Sequence, residues 1–157
     1  MADRFRFDIK DKAVMAKLQE LNDAMRSKKN AKAMGDFLVE EILDRTRGRF
    51  SGVKSTGKNV SKLKNVTPEW AKRRVKESGR HPQAARGRKS NLTHKGDMLD
   101  NLKTLTTFSG LAIGFTSTKQ ADKADGNEAR GRAFMYLSKG EISKATDFLR
   151  RKLLKNI

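Results

Sequence analysis

His81 and His94 are the chain's only imidazoles, and both sit in the run 78-SGRHPQAARGRKSNLTHKGDMLDNL-102. An imidazole can ligate zinc or carry a proton. A tetrahedral zinc site needs further ligands, and none stands at suitable spacing from these two. The chain has no cysteine, which excludes disulfides and thiolate metal sites. Both histidines are therefore expected as solvated loop side chains. Asp97 and Asp100 lie three apart at a helix start, where the positive end of the helix dipole accounts for acids without proton transfer. Glu40 and Glu41 suit the polar face of a helix. No glycine-rich phosphate loop or nucleophile elbow occurs. An enzyme is not expected, nor is a cofactor or a metal.

The stronger chemical signal is cationic. Between Lys54 and Lys95 there are 13 Lys or Arg against two acids, Glu69 and Glu77, so this stretch carries a net +11 of the chain's +18. Such an excess points to polyanionic partners and says nothing about the fold. Lys72, Arg73, Arg74, Lys76, Arg80, Arg86, Arg88 and Lys89 are the candidate contacts to DNA or to an acidic protein. Reading of bases calls for a recognition helix or stacking aromatics among the charges. Between residues 51 and 107 the only aromatic is Trp70, at the start of a TPEW helix that suggests packing. The expectation is phosphate contact without base readout. The plain alternative is a solvated basic loop.

The elements that must position this run are legible in the apolar spacing. The chain has 157 residues, 36% hydrophobic and 34% charged, which fits one domain with a modest core. In RFRFDIK, Phe5, Phe7 and Ile9 alternate as in a half-buried strand. Val14, Leu18, Leu21 and Met25 mark a first helix, and Met34, Phe37, Leu38 and Ile42 mark a second, from about Asn30 to Arg47 and ending at Gly48. Residues 51–91 form a basic, loop-rich insertion within the domain 1–157. It is broken by a short helix that Thr67 caps, Pro68 opens, and Trp70 and Val75 anchor.

Gly96 and Asp97 start another helical turn, with Met98, Leu99 and Leu102 on one side. NLKTLTTF and GLAIGF read as a hairpin. Residues 116–132 read as a polar loop, and AFMYL as a strand or an extended lead-in. Ser138 and Glu141 then fit a capping box, and Ile142, Ala145, Leu149 and Leu153 form the apolar face of a last helix. The class is α+β. A small antiparallel sheet, made of the N-terminal strand and the hairpin, packs with three main helices and a long basic loop. Apolar runs are too short for a membrane span and MADRFRFDIK has no signal-peptide region, so a cytoplasmic protein is expected.

Five pieces, in order, carry a resemblance: 49-RFSG-52, 66-VTPEWAKRRVK-76, 92-LTHKGDMLDNL-102, 113-IGF-115 and 129-ARGRAFMYLSKGE-141. Together they resemble the virion-morphogenesis or tail-component family of long-tailed bacteriophages, which is similar in kind to the minor tail protein Z of phage lambda. The chain departs from the family pattern at 121-ADKADG-126, which lacks an aromatic and a histidine. The resemblance implies a structural virion protein of the head–tail junction, a neck or tail-completion component that forms a homo-oligomeric ring. It implies neighbouring connector and tail-terminator proteins as partners, double-stranded DNA passing through the lumen without sequence specificity, and no membrane. The implied location is the virion, with the host cytoplasm during assembly. Trp70, Leu92, Gly96, Leu99, Phe134, Leu137, Leu149 and Leu153 are the expected structural positions. The alternative is a standalone, non-sequence-specific nucleic-acid-binding protein.

Overall fold

A computed structural model of the protein describes residues 27–54, 59–78, 83–107 and 110–154. The expected N-terminal strand and first helix lie outside the described residues, as do Arg80 and His81.

Helix α1 (Lys28–Arg47) is the longest element among the described residues. Its apolar stripe buries Leu38, Val39 and Ile42. It stops at Gly48, whose amide donates to the Asp44 carbonyl at 2.8 Å. The chain then turns through Phe50 at φ 53°, a left-handed value rare for a bulky residue. Strand β1 (Ser51–Val53) follows, paired antiparallel with β2 (Val60–Lys62) so that Gly52 faces Ser61. A Cβ on Gly52 would stand 2.2 Å from the Ala133 carbonyl oxygen, so only glycine fits this crossing.

Helix α2 (Pro68–Ser78) begins as its sequence signals indicate, with the Trp70 amide donating to Thr67 Oγ1 at 3.2 Å. The short α3 (Asp97–Asp100) leads into β3 (Leu102–Thr107), which pairs antiparallel with β4 (Gly110–Phe115) from Leu102↔Phe115 to Thr107↔Gly110. Helices α4 (Thr118–Ala129) and α5 (Lys139–Leu154) complete the described chain. The class is α+β, mostly helical, and the described residues form two separate two-stranded antiparallel sheets.

One core joins these pieces. Val39, Ile42, Met98, Leu99, Leu102, Ala124 and Phe134 cluster in it, and Leu92, Ile113, Phe115 and Leu137 pack against them. Helix α1 lies across both strands of the β3–β4 hairpin and along α5. The Phe37 and Phe148 rings stack at 4.7 Å and 10° between the two helices.

Several expectations need correction. The segment read as a polar loop, 116–132, is mainly the helix α4. Its buried side chains are Gln120 and Ala124, too polar and too small to register as an apolar stripe. Val75 does not anchor α2, being 64% exposed. On α5, Glu141, Ala145 and Phe148 turn toward α1. That rotation leaves Ile142 51% exposed and Leu149 and Leu153 only half-buried. The insertion 51–91 holds the paired strands β1 and β2 besides the expected short helix α2. Of the two readings of AFMYL, it is the lead-in to α5 and not a strand, with a bend at Met135 and Tyr136.

The lead-in is held by a buried charge. Arg45 has no exposed side-chain surface and Glu141 has 3%. Arg45 Nε donates to Glu141 Oε1 at 2.5 Å, and Nη2 donates to the Phe134 and Tyr136 carbonyls at 2.9 Å each. The second Glu141 oxygen accepts the Ser138 amide at 2.7 Å, and the Glu141 amide donates to Ser138 Oγ at 3.2 Å. The capping box is formed as expected, and its carboxylate also neutralises Arg45.

Candidate cationic interface

The basic face is built from α2 and the segment that returns alongside it. Arg74 points inward from α2 and is 3% exposed. Its Nη2 donates to the carbonyls of Gly87 at 2.6 Å and Lys89 at 2.9 Å. Val66 and Arg88 lock the other side: the Val66 amide donates to the Arg88 carbonyl at 3.0 Å, and Arg88 Nε to the Val66 carbonyl at 3.1 Å. Asn91, 1% exposed, ties the segment to itself. Its Oδ1 accepts the amides of Ala85 at 3.3 Å and Thr93 at 3.1 Å, while Nδ2 donates to the Gln83 carbonyl.

The cations therefore stand on an ordered support. Lys72, Arg73 and Lys76 are exposed on α2, and Arg86, Arg88 and Lys89 are exposed on the returning segment. These six stand exposed on two adjoining segments, α2 and residues 83–91, which Arg74 ties together. It removes Arg74 from the contact set, because its guanidinium is spent on backbone carbonyls inside. Burial pushes the Arg74 pKa down.

Besides Arg88, two of the exposed cations are partly engaged. Arg73 donates to Glu77 at 2.6 Å and lies 5.8 Å above the Trp70 ring. The Glu77 hydrogen bond raises the Arg73 pKa, and Arg73, followed by His94, holds the Glu77 carboxyl below its ordinary value. Lys89 lies 5.4 Å above the Phe50 ring. Beside it opens a groove of about 860 Å³ between the end of α1 and residues 83–91, with Arg47, Phe50, Arg86 and Lys89 on its walls.

Trp70 is half-buried, as a packing residue should be, and its partner is His94 at 5.2 Å between centroids. His94 is thus not the solvated loop histidine expected. It packs on Trp70, and its Nε2 stands 3.5 Å from Glu77. Leu92 adopts φ 56° between the buried Asn91 and Thr93, and Gly96 adopts φ 90° just before α3. The LTHKG turn is therefore bent by two left-handed residues. Leu99 and Phe134 are fully buried, and Leu137 packs half-buried against the core.

Sequence reasoning missed Arg45 and Asn91. Arg45 continues the Leu38–Ile42 stripe at helical spacing, so its placement on an apolar face was a readable signal. Asn91 gave none, since asparagine in a basic run is an ordinary loop residue. Among the described residues no cluster of His, Asp or Glu could hold a metal ion, and no helix is long and apolar enough to cross a membrane. No protein-family model, curated protein or solved structure matches the chain.

Proposed function

We propose that the protein is a structural component of a bacteriophage head–tail junction, a neck or tail-completion protein that acts as a homo-oligomeric ring. In this reading its neighbours are connector and tail-terminator proteins, and duplex DNA passes its basic face without sequence recognition. The observation that carries the reading is the rigid mounting of the cations. Arg74, Asn91 and the Val66–Arg88 pair hold the backbone, while the exposed side chains are Lys and Arg with no free aromatic among them. Such a face offers phosphates a surface and bases nothing to read. DNA must slide through a neck, and a base-specific grip would oppose it. The ordered motif resemblance supports the same reading: 49-RFSG-52 forms the Gly52 crossing, and 129-ARGRAFMYLSKGE-141 forms the Arg45–Glu141 seam.

A nonsense mutation in the coding phage tests this. Filled heads and finished tails should accumulate unjoined in electron micrographs. Failure of capsid assembly or of DNA packaging would refute the assignment. Purified protein that binds DNA tightly as a monomer, with normal virions in its absence, would instead favour a standalone nucleic-acid-binding protein, a reading the +18 net charge also suits.

A further inference from the structure

A second cavity of about 530 Å³ lies between α2, the Leu92–Met98 turn and α4. Its volume is within the range of small-molecule sites. Its apolar lining includes Val66, Trp70, Leu92 and Met98. The charged lining is unbalanced: Arg74, Lys123, Arg130 and Arg132 stand against Asp97 and Asp122, an excess of two positive charges.

Arg130 and Arg132 meet no carboxylate within ion-pair distance among the described residues. Their hydrogen bonds go to backbone, Arg130 Nη1 to the Gly126 carbonyl at 3.0 Å and Arg132 Nε to the Lys64 carbonyl at 3.4 Å. Burial, and next the charge of Arg130, push the Arg132 pKa down. His94 also lines the cavity, and its buried Nδ1 has no partner among the described residues.

We propose that this cavity binds a phosphomonoester attached to a flat ring, such as a nucleotide, with the phosphate at Arg130 and Arg132 and the ring against Trp70 and Met98. A phosphomonoester carries about −1.5 to −2 charge at neutral pH, which balances the excess of two, whereas a carboxylate would not. Guanidiniums present paired donors that match phosphate oxygens. Trp70, already tilted against His94, gives the ring an aromatic surface. The site does not depend on the neck reading, since none of the exposed cations of the basic face lines it.

Isothermal titration of the full chain tests the site, with thymidine 5′-monophosphate and thymidine as probes in one buffer. Saturable heat is expected with the monophosphate and none with thymidine. Arg130→Met with Arg132→Met should weaken binding more than about tenfold. Lys72→Gln with Lys76→Gln, on the exposed face of α2, should leave it unchanged. Should the arginine pair fail to fold, Lys123→Gln decides, because that side chain is exposed and should still weaken binding. A 5′-phosphorylated oligonucleotide compared with its 5′-hydroxyl form separates the sources. Preference for the phosphorylated strand supports the site and identifies a strand end as its ligand, while equal affinity alongside tight monophosphate binding supports it with a free nucleotide. No saturable monophosphate binding at millimolar concentration would overturn the proposal. So would equal losses in the arginine and lysine pairs, which would reduce the effect to general charge.

Discussion

Arg45 reaches Glu141 across 96 positions of sequence and spends its remaining donors on the backbone of the lead-in to α5. Removing one member of a buried ion pair leaves the other charged and unsolvated, at a cost of about 3–5 kcal/mol. Arg45→Met should lower stability by that amount in chemical denaturation. Arg45→Met with Glu141→Gln should cost less than the two single changes added together, because the orphaned charge is gone. Strict additivity in the double-mutant cycle would show that the two side chains are not coupled. Part of this pair was legible beforehand. Glu141 announced itself through the Ser138 spacing, since capping is a local rule. Its second role was not legible, because long-range pairing of a carboxylate leaves no mark in neighbouring residues.

At the level of elements, α2 and residues 83–93 act as one piece because Arg74 bridges them. Hydrogen bonds from a charged donor contribute about 1.5–3 kcal/mol, so Arg74→Met should destabilise this piece by a similar amount. Amide exchange at residues 85–91 should speed up markedly, while the β3–β4 hairpin stays protected. Unchanged exchange in that stretch would remove Arg74 from the support of the basic face. The elements divide plainly into readable and unreadable. Helix α1, the start of α2, the hairpin and the capped start of α5 followed from apolar spacing and local caps. Helix α4 was invisible because its inward residues are Gln120 and Ala124. The rotation of α5 was unreadable for a related reason: Ile142 and Phe148 are both apolar, and only packing against Phe37 decides which turns inward. In the candidate interface the exposed cations were readable from composition. The inward turn of Arg74 was not, since its neighbours Arg73 and Lys72 look the same in sequence.

For the whole molecule, charge and topology make separable demands. Lys72, Lys76, Arg86 and Lys89 are all exposed. Reversing them to Glu should change stability by no more than about 0.5 kcal/mol each. Circular dichroism melting should therefore stay near normal, while DNA affinity falls and its salt slope shrinks by about 0.9 for each phosphate left without its cation. A collapsed melt would mean that these side chains are packed. Normal affinity would mean that the charge only keeps the protein soluble. Topology sets a different condition, one of time. Arg45 belongs to an early helix, yet Phe134, Tyr136 and Glu141, three of its partners, come some 90 residues later. At about 5–20 residues per second, a ribosome delivers them roughly 5–20 s after Arg45. During that interval α1 has a charged group where the finished protein has none in contact with water. The growing chain must keep this helix hydrated or sheltered, and the core closes only when the last helix emerges.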